Sequence, residues 1–286
     1  MKLSKVILLI GLLVFACKTN EKETVSKSKL IDSFRASNSE IPNISVHRGG
    51  KDLYQYPENC LETIKYINDS IPAIYEIDIA QTKDGKLILM HDNSINRTTS
   101  GSGLVRKMTY KELNNFNLVD DFGNETSYKI PLFKEVLNWA KANDVVLTVD
   151  IKRSVAQKAV IDAIRNAKAQ NNCILITYDV AQAKSAFKYA PELLLSVSAR
   201  NHDEFDRLLN ANIPVDNMVA FTGTRLSPPS LYERLHDNNI VCMLGTLGNL
   251  DRQAKARGDV LYASWKDNGI DIIATDRPFE AFKAIN

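Results

Sequence analysis

Seven residues able to do acid, base or ion chemistry fall near the ends of short apolar runs. His47 ends NISVH with Arg48 next to it, Glu76 and Asp78 lie in AIYEIDIA, His91 lies in KLILMHD, and Asp150 and Lys152 end VVLTVDIK. Histidine titrates near neutral pH and arginine does not, so His47-Arg48 joins a proton-transfer group to a permanent cation. Three carboxylates brought to one point repel one another unless a cation holds them. One divalent ion with hard oxygen ligands, Mg²⁺ or Ca²⁺, held by Glu76, Asp78 and Asp150 resolves that conflict. A lattice of salt bridges from the carboxylates to Arg48 and Lys152 is the alternative. Phosphodiester cleavage uses every member of the set. His47 and His91 serve as the base and the acid in either order, with His47 as base the assignment favoured, while Arg48 and Lys152 carry charge on the phosphoryl oxygens. Glycosidic chemistry also uses paired acids but has no need of paired histidines or of a clustered arginine and lysine.

These residues must be brought together by the elements that carry them. After NISVH, β-type runs recur at AIYEIDIA, VVLTVDIK, CILITY, LLLSVS, NMVAF, IVCML and IDIIATD, several followed by helical patterns such as VAQKAVIDAIRNAKAQ. The rhythm predicts a single parallel α/β domain, and about eight strands closed with helices outside give a TIM (β/α)8 barrel. Barrel enzymes gather their chemistry at the C-terminal strand ends, where these residues fall. An open doubly wound sheet would favour a G-x-G-x-x-G loop after the first strand, and HRGGKD lacks that spacing. KLILMHD follows AIYEIDIAQ after only TKDG, too short for a parallel crossover, so the two runs form a hairpin after strand 2. A two-residue Asp84-Gly85 turn would place Lys83 opposite Lys86 and His91 opposite Asp78.

The chain has 286 residues and a net charge of +2, which argues against nucleic acid as the main partner. Lys2 and Lys5 precede an apolar run ending at Phe15, then Ala16 and Cys17. This is read as a signal peptide over residues 1–16. Val14-Phe15-Ala16-Cys17 resembles a bacterial lipobox, which implies a membrane anchor through lipidated Cys17 and a place in the bacterial cell envelope. Residues 17–40 are expected to be a tether and residues 41–286 the folded domain. Cys60, Cys173 and Cys242 lack the spacing of zinc sites or disulfide frameworks and are expected to be buried thiols.

From Val46 to Pro278 the sequence resembles the glycerophosphodiester phosphodiesterase family. The resemblance rests on His47-Arg48-Gly49, Pro57-Glu58-Asn59, Glu76-Ile77-Asp78, Thr82 to Gly85, His91-Asp92, the runs RTTSGSG and IPLFKEVL, and the ending GIDIIATDRP. It implies a TIM barrel with an insertion over about residues 93–130, a divalent metal on Glu76, Asp78 and the third acid, and His47 and His91 as the acid/base pair. It also implies hydrolysis of glycerophosphodiesters to an alcohol and glycerol 3-phosphate, by attack of the substrate's own hydroxyl to give a cyclic phosphate that water opens. The alternatives are a phosphodiesterase or lyase of the same fold acting on another diester, and a non-catalytic ligand-binding lipoprotein. Three departures bear on specificity: Asp150 stands where the family has glutamate, Ile176 to Asp179 replace a serine-phenylalanine pair, and Met243 to Thr246 replace a tryptophan-threonine strand end. Glu58 and Asn59 either cap the helix starting near Leu61 or serve the site. Arg97 contacts phosphate or orders the insertion.

Overall fold

A computed structural model describes residues 26–286, so the expected signal peptide and Cys17 lie outside the described residues. Nine strands form one sheet: β1 Ile44–Val46, β2 Ile74–Gln81, β3 Leu87–Leu89, β4 Leu147–Ile151, β5 Cys173–Thr177, β6 Leu194–Ser198, β7 Met218–Phe221, β8 Cys242–Gly245 and β9 Ile272–Thr275. All but β3 run parallel, and β1 pairs with both β2 and β9, which closes an eight-stranded barrel. This is the expected TIM barrel.

Alternation along each strand divides its side chains between two cores. Ile77, Ile79, Val149 and Leu175 point outward and pack under the surrounding helices, whereas Ile74, Ile174, Leu194, Val219 and Ile272 fill the lower barrel interior. Near the C-terminal ends the inward positions change from aliphatic to ionisable. On β2 the sequence Ile74, Glu76, Asp78 records that change within one strand.

Two expectations are corrected. The segment read as a tether through residue 40 is packed from Ser28 onward. Leu30–Ser33 form a helical turn, and Leu30, Ile31 and Phe34 are buried against Ile74, Ile174 and Ile272. Three apolar side chains in an otherwise polar stretch suffice to close the N-terminal end of the barrel. The hairpin register also differs, since Gln81 faces Leu87 and Ile79 faces Leu89, with three residues, Lys83 to Gly85, in the connection. Thr82 fixes that loop by donating to Asp84 at 2.6 Å and accepting from the Lys86 amide at 2.9 Å, while Gly85 adopts φ +78. Three-residue hairpins with a left-handed last residue are a common solution. The Met90 amide therefore donates to the Asp78 carbonyl, and His91 lies beyond the last pair.

Between β3 and β4 the insertion builds a small core of its own, with Ile95, Val105, Leu113, Leu118 and Ile130 packed on Ala80 and Ile88 of the hairpin.

Candidate active site

At the C-terminal mouth, one cavity of about 530 Å³ is lined by His47, Glu76, Asp78, His91, Asp150 and Lys152. Six of the seven residues singled out in the sequence therefore share one space. The seventh, Arg48, is tied up beside it: its guanidinium donates to Glu58 at 3.0 and 3.2 Å and to Nε2 of His91 at 2.8 Å.

The turn after β1 explains how His47 and Arg48 are presented. Arg48, Gly49 and Gly50 all have positive φ, which reverses the chain within three residues. A Cβ on Gly50 would stand 2.5 Å from Thr63, so the helix Leu61–Asn68 can close on this turn only over a glycine. The reversal aims the Arg48 amide at Glu76, to which it donates at 2.8 Å.

Each histidine is held at Nδ1 by a carboxylate. His47 Nδ1 lies 2.6 Å from Asp276, leaving Nε2 facing the cavity at 4.0 Å from Glu76. His91 Nδ1 lies 2.7 Å from Asp92. With Nδ1–H donated to a carboxylate, the lone pair resides on Nε2, and at His91 that lone pair accepts from Arg48. Burial acts against the charged form of Asp276, but the bond to His47 outweighs it and keeps its carboxyl below the usual range.

Neighbouring strands bring the three acids together. Asp78 and Asp150 are partners across β2 and β4, and Glu76 lies one inward position below Asp78. Their oxygens fall within 4.8 Å of one another. Burial raises the Glu76 carboxyl well above its usual range, with Asp78 and Asp150 adding to the rise. Burial opposes ionisation at Asp78 too, but Lys152 and the Asn59 amide prevail and hold it low. Lys152 reaches Asp78 at 2.5 Å and Asp150 at 3.0 Å, so part of the salt-bridge lattice weighed as an alternative is present. It does not satisfy the cluster, because Oδ1 of Asp150 is buried without a hydrogen-bond partner. An orphaned carboxylate oxygen beside a carboxyl pushed up by burial and by its acidic neighbours is what an all-oxygen cation site looks like without added positive charge. The donor set fits a hard divalent cation.

Several contributors were not assigned from sequence. Asn59 donates to Asp78 at 2.7 Å and accepts from the Asp78 amide at 2.9 Å, while the helix at Leu61 has no side-chain cap, so Asn59 serves the site. Glu58 is buried and receives both Arg48 and Arg97; burial works to raise its carboxyl, and the two guanidiniums hold it below the usual range. Arg97 also binds Asp92 at 2.8 Å and draws its carboxyl down to about 2. It therefore ties the insertion to the histidine shelf rather than lining the cavity. Asp276 had a signal in TDRP, but its role needed the β1–β9 pairing of Val46 with Thr275, which sets the next residues side by side.

A family model for the glycerophosphoryl diester phosphodiesterase family matches residues 47–278. The chain belongs to that family. A crystal structure of a glycerophosphoryl diester phosphodiesterase from Parabacteroides distasonis is 30% identical, covers 91% of this chain and 92% of its own, and superposes with a TM-score of 0.82. A glycerophosphodiester phosphodiesterase from Bacillus altitudinis is 29% identical over 164 residues, which are 55% of this chain and 66% of that relative. The match thus spans just under two thirds of that relative's length. An Oleispira antarctica phosphodiesterase, solved in complex with the product sn-glycerol-3-phosphate, shares the fold at 19% identity, covering 86% of this chain and 98% of its own, with a TM-score of 0.70.

Proposed function

We propose that this family member hydrolyses glycerophosphodiesters to an alcohol and sn-glycerol 3-phosphate, with His47 and His91 as the acid/base pair. The observation that carries this reading is the placement of two carboxylate-held histidines and an incompletely satisfied three-carboxylate cluster around one cavity. A non-catalytic binding protein has no use for two such dyads, and membership of the family supports turnover.

Glu76, Asp78 and Asp150 would hold one divalent cation, Mg²⁺ or Ca²⁺, which when bound supplies positive charge for the phosphoryl oxygens. The chain's own groups do the rest. Asn59 grips both the amide and the carboxylate of Asp78 and fixes its rotamer. Lys152, between Asp78 and Asp150, stands ready to take phosphoryl charge. His47 presents a free Nε2 to the cavity and suits the base that takes a proton from the attacking hydroxyl, while Asp276 fixes its tautomer and stabilises the imidazolium that results. His91 acts as the acid toward the leaving oxygen. That role requires Nε2 to part from the Arg48 guanidinium, since two donors cannot share the contact, and it frees Arg48 to bind phosphate. The hydroxyl of the glycerol is the internal nucleophile, and the cyclic phosphate it forms is opened by water in a second step.

Replacing either histidine by alanine is expected to lower turnover of an alkyl diester by about two to four orders of magnitude. A nitrophenyl diester, whose leaving group needs little protonation, should rescue His91→Ala and leave His47→Ala slow. Identical responses of both variants to leaving-group acidity would refute the division of roles, and full activity of both would refute the reaction.

The same reading places the protein in the bacterial cell envelope, anchored through Cys17.

A further inference from the structure

The wall of the cavity facing the acids carries a feature that the hydrolytic chemistry does not use. Alternate residues of β6 and its extension, Ser196, Ser198 and Arg200, line the cavity in a column running toward its rim. β4, β5 and β6 are successive neighbours, and their registers set Ser196 level with Asp150 at about 10 Å across the sheet, with Arg200 four residues nearer the rim.

Arg200 is held in place rather than left to wave in solvent. Its Nε donates to both oxygens of Glu204 at 2.9 and 3.0 Å, one Nη2 hydrogen goes to the same carboxylate, and its amide donates to Glu204 at 2.8 Å. Its stem lies flat on Gly223, which has φ +95 and where a Cβ would come 3.1 Å from Arg200 Cγ. Nη1 makes no hydrogen bond to any described residue, so one edge of the fork stays open in a half-exposed side chain that lines the cavity. A fixed guanidinium with a free edge is suited to a planar or tetrahedral anion.

We propose that Arg200 is a specificity-determining residue that receives a second anionic group, a carboxylate or phosphate, on the alcohol esterified to the glycerophosphate. The proposal rests on the phosphodiesterase reading and narrows its substrates. With the phosphodiester beside Lys152 and the acids, a head group directed toward the rim of β6 and the reach of the arginine together bridge a backbone separation of about 16 Å, roughly 10 Å across the sheet and 13 Å along it. Diesters with acidic head groups then gain a charge-assisted bond that ethanolamine or choline cannot make.

Glycerophosphoserine and glycerophosphoethanolamine form the matched probes, because they differ only by one carboxylate. Binding is measured by calorimetry on the full chain carrying His47→Ala, with the divalent cation present, so that turnover does not intervene. The serine diester is expected to bind about tenfold more tightly, the low end for a charge-assisted bond at a half-open site. Arg200→Gln should erase that difference and leave the ethanolamine diester within about twofold, while Arg200→Lys, which keeps the charge and loses the fork, should retain part of it. Equal binding of the two diesters by the Arg200 chain, or a difference that survives Arg200→Gln, overturns the proposal. Turnover of the same pair by the chain with His47 intact reports separately on the phosphodiesterase reading, since binding selectivity can stand where hydrolysis fails.

Discussion

The residues singled out near the strand tips are held by partners that are themselves fixed. Asp276 is the clearest case. It touches His47 at 2.6 Å and lies at the end of a strand adjacent to the one His47 follows. Asp276→Asn would keep the size of the side chain but offer a donor amide to Nδ1, favouring the tautomer whose Nε2 carries the proton and cannot act as a base. We expect turnover to fall by about two to four orders of magnitude with KM little changed. A comparable rise in KM with turnover preserved would assign Asp276 to substrate binding instead. The residue types needed for chemistry were legible from sequence because strand-end His, Glu and Asp are rare among apolar runs. Their partners Asp276, Asn59 and Glu58 were not assigned, because each depends on a contact set by barrel closure or by a positive-φ turn rather than by local spacing.

At the scale of elements, the eight barrel strands were readable because parallel barrel strands are buried on both faces and appear as continuous apolar runs, and β3 by the short connection that makes it half of a hairpin. The hairpin register was misread by one residue, since an Asp-Gly pair signals a tight turn without saying whether its side-chain bonds enforce two residues or three; Thr82 decides it here. The helix Pro229–Asp237 offers a test of pairing between elements. Its His236 lies 2.9 Å from Asp271, which also accepts from the Cys242 amide, and the bond to Asp271 raises the His236 pKa above its ordinary value despite opposition from burial. A raised folded-state pKa means the charged form is stabilised by folding, so the contribution is fully present below the unfolded pKa near 6.5 and is lost as pH climbs through the raised value. His236→Gln should therefore lower the melting temperature more at pH 5.5 than at pH 9. An equal loss at both values would show that the pair contributes packing and no charge.

At the scale of the whole molecule, the barrel is closed at one end by an apolar plug and open at the other into the candidate site. The plug was hidden in the sequence by its surroundings, because Leu30, Ile31 and Phe34 sit in a polar stretch whose composition reads as a tether. A chain beginning at residue 41 would uncover the lower interior. At about 1.5–3 kcal/mol for each large apolar side chain, an upper estimate, that removal should cost several kcal/mol. A chain beginning at residue 28 should melt within a degree or two of the full chain, whereas one beginning at residue 41 should melt roughly 10 °C lower. Equal melting temperatures for the two would mean that the plug rests on the barrel without supporting it. The mouth carries the central claim, that three carboxylates and two histidines at the strand tips form a cation-dependent phosphodiesterase centre. Its most direct test is to follow glycerophosphoethanolamine by phosphorus NMR with the full chain, first after chelation and then after adding back Mg²⁺ or Ca²⁺. The account predicts no reaction in chelator and release of sn-glycerol 3-phosphate when either cation is restored, with Asp78→Asn needing more cation for the same rate. Undiminished hydrolysis in excess chelator, or none of this diester or of glycerophosphoserine with either cation present, would contradict it.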